Sequence, residues 1–337
     1  MDAMPVVTLS APELNVEDLL GVPTVLELTR RFPDGLDRKV HVTQWALPAV
    51  LDPTTPFLLF IDEPNRCDPS VRNALFQLVT FRTTTAGFKL PKGSLVCMAG
   101  NRMEDRAGAR ALDTAFNNRC GHFELALDVD SWLDWAGAQS GFSPLVRAFI
   151  ARHPDLLCRF DATSTLPQQP TPRTWAGVGM ALGETPDALR QSLIHGLVGH
   201  EAATIFAAFG SNENSFPTAE EILCHPETVA VPNGGNLDRA WIYATRLSDL
   251  IHWEVLPMAV DDDTAGCAIG TVFGRLAGQG FEDVATFAIR GAWRRIEQKP
   301  AAQETRKRFF ALIKTLVRTP SFAKFISELR SLHGPAA

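Results

Sequence analysis

The sequence predicts an α/β protein in which a parallel sheet comes first and mainly helical chain follows, and three observations lead there. In PFLLFIDEPNR, Pro56 to Arg66, five apolar residues from Phe57 to Ile61 suit a short strand buried on both faces, and the strand ends on Asp62 and Glu63. SLVCMAGNR, residues 94 to 102, repeats the pattern and ends on the polar Asn101. From Asp130 onward strand signals nearly vanish and helical periodicity takes over.

Taken in order, PVVTL at 5 to 9 reads as a strand, and LNVEDLLGVP, residues 14 to 23, as a short acidic turn or helix closed by Gly21 and Pro23. Pro33, Asp34 and Gly35 mark a loop, with a short strand or extended piece near Val40 to Trp45. After the central strand, Asp68 as N-cap and Pro69 at the first helical position start an amphipathic helix over 70 to 82, with Val71, Ala74, Leu75, Leu78 and Val79 at helical spacing. Thr83 to Leu90, containing Gly87, reads as a small hairpin or loop, and a loop rich in Arg and Asp precedes a helix around Ala111 to Asn118. His122 to Leu127 is a third strand candidate. Helices are expected over Trp132 to Ala138, Pro144 to His153 and Thr174 to Leu182, with a further break around Gly210 to Pro217. The expected division is therefore 1–129 for the sheet domain, 130–212 for a first helical domain and 213–337 for a second.

The length of 337 residues, apolar content of 45%, charged content of 21% and mean hydropathy of −0.01 describe an ordinary globular protein. No window has the apolar length of a membrane span and Met1 opens no signal segment, so a cytoplasmic address is expected. Six cysteines without a CxxC pair argue against a disulfide framework or zinc knuckle and are expected to be buried thiols. A net charge of −6 offers nucleic acid no global attraction.

The order of these pieces resembles a AAA+ ATPase of the MoxR-like group, within the wider dynein-related set, over about residues 5 to 210. FLLFIDEPNR resembles the Walker B strand, LNVEDLLGVP the segment after the family's second strand, the 83 to 90 hairpin an insertion in the following helix, and AGNR the end of the sensor 1 strand. AFNNR places Arg119 where the family carries its arginine finger, and PTPRTW places Arg173 where it carries sensor 2. The resemblance implies the sheet of a P-loop NTPase, a helical lid and a helical C-terminal region. It further implies ATP and Mg²⁺ as ligands, with Asp62 on the metal, Glu63 orienting the attacking water, Asn101 positioning it, and Arg119 and Arg173 on the γ-phosphate. Arginine suits that last task because its planar fork stays charged and grips phosphate oxygens bidentately. Thr171 as N-cap and Pro172 at N1 put Arg173 in the first turn of a helix. A hexameric ring of identical subunits and a von Willebrand A type protein partner are what the family would bring.

One part of the pattern is missing. No G-x-x-x-x-G-K-[ST] occurs, and the glycine clusters at Gly234-Gly235 and Gly278 to Gly280 lack a following Lys-Ser/Thr. In the family, the strand leading into that loop lies between the strand ending at Asn101 and the one at 122 to 127, so its loss is expected to leave unpaired edges and an uncovered apolar face. Two readings stay open: a chain whose true start lies upstream, or a degenerate subunit that keeps the shape and donates Arg119 in trans. The retention of Asp62, Glu63, Asn101 and Arg173 favours the first, since a subunit freed from hydrolysis has no need of that set.

Other features are weaker. His195 with His200-Glu201, and Cys224-His225, lack metal-ligand spacing. Asp261-Asp262-Asp263 reads as a solvated linker rather than a calcium loop. Arg290 to Arg330 carries eleven Lys/Arg against three Glu, a pattern of a packed amphipathic helix with a solvated basic side more than of a nucleic-acid face.

Overall fold

The computed structural model describes residues 4–46, 48, 51, 54–102, 110–112, 114–161, 168–212, 216–233, 235–258, 260–298 and 303–320. The chain forms two units, Met1–Leu125 and Ala126–Ala337.

In the first unit, β1 (Val6–Ser10), β4 (Leu58–Asp62) and β5 (Leu95–Ala99) form a parallel sheet in the order β1-β4-β5. The register aligns their carboxyl ends, with Ser10, Asp62 and Ala99 in one row. One face holds the core. Leu9, Leu59 and Ile61 are buried there together with Val71, Leu75 and Leu78 of α2 (Pro69–Phe81). That is the helical face expected from spacing, and Leu59 and Ile61 are fully enclosed.

The other face corrects an expectation. Leu58 and Phe60 are only half-buried, Cys97 is exposed, and Val6 and Leu95 are 59% and 58% exposed. The strand at 57–61 is thus covered on one side rather than two. The free edge of β5 pairs with no strand among the described residues. The third strand expected at His122 to Leu127 does not form: the segment joins no sheet, and Phe123 and Leu125 are 94% and 95% exposed. A strand is held by ladder hydrogen bonds to a neighbour, and this segment has none, whatever its apolar content.

Between β1 and β4 lies α1 (Val16–Leu20), closed as expected by Gly21 at φ +83°, a left-handed turn that favours glycine. A two-stranded antiparallel ribbon follows, β2 (Val22–Arg31) and β3 (Asp37–Ala46), longer than the short strand or extended piece expected near Val40 to Trp45. Its turn uses Gly35 at φ +79° and the Asp34 carboxylate, which accepts from Leu36 N at 3.1 Å. The 83 to 90 hairpin is present, with a Thr83–Lys89 bridge and Gly87 at φ +93°. The expected helix around 111 to 118 shortens to α3 (Thr114–Asn117), and most of the Arg/Asp loop before it, residues 103–109, falls outside the described residues.

The second unit is helical: α4 (Val129–Gly137), α5 (Pro144–Arg152), α6 (Pro172–Ala181), α7 (Asp187–Val198), α8 (His200–Gly210), α9 (Ala219–Cys224), α10 (Leu237–Leu250) with a π-helical continuation Ile251–Val255, α11 (Asp262–Ala277), α12 (Glu282–Gln298) and α13 (Gln303–Leu316). Two apolar clusters organise it. One gathers Trp132, Phe149, Trp175, Phe206 and Phe209 from α4 to α8, the other Tyr243, Leu247, Ile269, Phe273 and Phe309 from α10 to α13. Gly266 and Gly270 let α11 approach α13 closely, since a Cβ at either would stand 2.7–2.8 Å from the Leu312 or Leu316 carbonyl.

Two smaller expectations also fail. Among the cysteines only Cys67 is buried, while Cys97, Cys158, Cys224 and Cys267 are exposed. The Asp261 to Asp263 run is structural: Asp261 caps α11 through Thr264 N at 2.9 Å, Asp262 pairs with Arg308 at 3.0 Å, and Asp263 accepts from Thr315 at 2.6 Å.

Candidate functional site

The carboxyl edge of the sheet brings three of the five expected site residues into one neighbourhood. Asp62 closes β4 and is exposed. Glu63 continues the ladder by one rung, its N–H donating to Ala99 O at 2.7 Å, but takes a left-handed φ of +50°. A non-glycine residue there costs roughly 1–3 kcal/mol and persists only where its surroundings impose it. The surroundings are visible. The Glu63 carboxylate accepts from Arg66 Nη1 at 2.7 Å and from Asn101 Nδ2 at 3.1 Å, and Arg66 N–H closes a turn onto Glu63 O at 2.9 Å.

Asn101 is positioned in turn by Asn65, a residue whose part the motif strings contained but did not reveal. Asn65 is buried, its Nδ2 donates to Asn101 O at 2.7 Å, and its carbonyl accepts from Arg110 N at 2.8 Å. Gly100 makes room for this, because a Cβ at 100 would stand 2.8 Å from Asn65 Oδ1. The strand ends at 62–66 and 99–101 are thereby stitched by side chains where the backbone ladder stops.

Arg119 is not part of that neighbourhood, and Arg173 belongs to the other unit. Arg119, exposed just beyond α3, donates to Ala115 O at 2.5 Å and lies over the Phe76 ring of α2 at 5.0 Å. It touches none of Asp62, Glu63 and Asn101. Arg173 belongs to the second unit, exposed in the first turn of α6, with Thr171 capping that helix by accepting from Thr174 N at 3.2 Å.

No known protein family, curated protein or solved structure matches this chain. The functional reading therefore rests on the geometry of the chain itself.

The remaining candidates dissolve into structure. His195 and His200 contact each other at 3.4 Å, Glu201 is taken by Arg159 at 2.7 Å, and no group of three or more His, Cys, Asp or Glu that could hold a metal occurs among the described residues. The basic side of α12 and α13 is solvated in part, with Arg290, Lys307 and Lys314 exposed, while other arginines are paired. Arg294 reaches Asp134 at 3.2 Å, Arg295 reaches Asp249 and Ser248 at 2.7 Å, and Arg308 donates to the carbonyls of Leu256, Met258 and Val260. Lys299, Lys324 and Arg330 lie outside the described residues. No helix among the described residues is long and apolar enough to cross a membrane.

Proposed function

We propose that this chain carries the hydrolytic half of a AAA+ ATPase of MoxR-like type, coupling ATP hydrolysis to the remodelling of a protein partner. The observation that carries the reading is the Asn101–Glu63 hydrogen bond at 3.1 Å, formed beside the exposed Asp62 at the carboxyl edge of a parallel sheet. That edge is where α/β proteins bind ligands. Here Glu63 is held in a fixed geometry to polarise a water, Asn101 orients the same water, and Asp62 faces solvent where a hydrated Mg²⁺ can reach it. With no three-ligand cluster among the described residues, the ion would keep mostly water and phosphate oxygens in its shell, as Mg²⁺ prefers.

The residues present do not include a phosphate cradle, because no G-x-x-x-x-G-K-[ST] occurs in the 337 residues. What supports a cradle beside this edge is the side of β5 that pairs with no strand among the described residues, the open face with Leu95 and Cys97, and the exposed Phe123 and Leu125. Together these leave a place for one more strand and a covering helix. In the same reading Arg119 and Arg173 complete sites in a ring of identical subunits, a hexamer by family, and a von Willebrand A type protein is the remodelled partner.

The test is ATP turnover by protein made from the full reading frame, including any in-frame codons ahead of Met1, beside its Glu63→Gln variant. A fall of roughly 10²–10⁴-fold with nucleotide binding retained supports hydrolysis at Glu63. Absence of both turnover and an encoded G-x-x-x-x-G-K-[ST] rejects it. The missing loop itself favours a second reading, a non-hydrolysing scaffold subunit whose exposed Arg119 serves a neighbour, in which Glu63→Gln changes nothing.

A further inference from the structure

A second feature lies within the helical unit, independent of the acidic edge. Between α4, α5, α10 and α12 is a cavity of about 40 Å³ lined by Arg147, Arg290, Arg294 and Arg295, with Asp130, Asp134, Ser248 and Gly291 among its other walls. A buried water needs roughly 10–15 Å³ of such space, so the cavity holds about three waters or one tetrahedral oxyanion.

The charges around it do not balance. Arg147 and Arg295, 6% and 2% exposed, both bond the single carboxylate of Asp249. Arg294 takes Asp134 at 3.2 Å and Asp130 at 3.6 Å. Arg290, exposed at the mouth, forms no ion pair among the described residues, and the buried Nε of Arg147 donates to nothing among them. Four guanidinium groups thus face three carboxylates. Burial, with Arg147 adding repulsion that Asp249 and Asp134 oppose, lowers the Arg295 pKa to about 10, which reports a desolvated environment. Gly137 of α4 makes room for the two buried guanidinium groups, since a Cβ there would meet Arg295 Nε at 2.9 Å and Arg147 Nη1 at 3.0 Å.

Two buried guanidinium groups that share one carboxylate, one of them with an unsatisfied donor, are costly unless a counter-ion reaches them. Guanidinium forks match tetrahedral oxyanions in both charge and geometry. We propose that this cavity binds a small oxyanion of the phosphate class, with Arg147 and Arg295 at its base and Arg290 and Arg294 at its rim.

Two variants that keep the fold test it. Arg290→Gln removes an exposed charge, and Gly291→Leu adds a bulky side chain at a lining position where an added Cβ meets nothing within 4 Å and helix propensity improves. Inorganic phosphate titrated calorimetrically into the whole protein at constant ionic strength should show saturable binding. Arg290→Gln should weaken it about tenfold, as loss of one charge-assisted contact does, and Gly291→Leu should abolish it. Displacement of phosphate by O-phosphoserine assigns the site to a phosphoryl group on a larger molecule, and failure to displace assigns it to the free ion. No saturable binding, or binding that neither variant alters, overturns the proposal.

Discussion

Asn101 Nδ2 donates to Glu63 Oε1 at 3.1 Å across the ends of two neighbouring strands, and Asn65 Nδ2 donates back to Asn101 O at 2.7 Å. Two hydrogen bonds between side chains and one loop thus fix an acid whose own backbone sits in a left-handed conformation. The arrangement depends on close approach at Gly100, and the first prediction follows from that.

Gly100→Ala should displace Asn65 and loosen Asn101, because the new methyl carbon would lie 2.8 Å from a buried amide oxygen. A cost of about 1–3 kcal/mol is expected in urea unfolding, comparable to Asn65→Ala, which removes the same clamp. The double variant should cost less than the sum of the two. Additive costs would show that Gly100 and Asn65 act separately.

Thiol labelling reads the uncovered sheet face. Cys97 points to the open side of β5 and is exposed, so it should react with a maleimide in the native state. Cys67 is buried and burial pushes its thiol pKa up, though nearby Arg72 opposes the shift, so it should stay unlabelled until the protein unfolds. Equal protection of both, followed by mass spectrometry, would mean the face is covered in solution.

Acid sensitivity should come partly from helix caps. Asp128 and Asp261 each accept from the backbone N–H and hydroxyl of the residue three positions on, Ser131 and Thr264, which lowers both pKa values below 3.8. Because the folded state holds these carboxylates ionised more firmly than the unfolded chain, their stabilisation is complete above pH 3.8 and disappears as pH falls below it. The Asp128→Asn, Asp261→Asn double variant should show a shallower loss of thermal stability through that window. An unchanged slope would assign acid sensitivity elsewhere.

Arg308 is expected to serve the fold rather than a nucleic acid. Its guanidinium donates to three carbonyls following the π-helical segment and to Asp262. Arg308→Lys, which keeps the charge but loses the fork, should cost about 1–3 kcal/mol on thermal unfolding. A thermally silent Arg308→Lys would show that these contacts do not hold the loop.

Much of this protein was legible from local pattern. The β4 and β5 apolar runs, the Asp68-Pro69 helix start, the Gly87 hairpin and the Thr171 cap of α6 each depend on residues a few positions apart, and each stands where its residues indicate. The motif PFLLFIDEPNR likewise brought Asp62 and Glu63 to a strand end without help from the rest of the chain.

Tertiary structure decided what depends on distant partners. His122 to Leu127 has a strand's composition but, among the described residues, no neighbour to share hydrogen bonds with, so it joins no sheet, and Cys97 is exposed because no described element covers that face of β5. Asn65, a turn residue by sequence, became the clamp on Asn101 only because β5 lies beside β4. Arg294 and Arg295 of α12 became ion-paired once folding set Asp134 and Asp249 against them. A residue's propensity is carried by its neighbours in sequence, but pairing, burial and charge compensation are properties of neighbours in space.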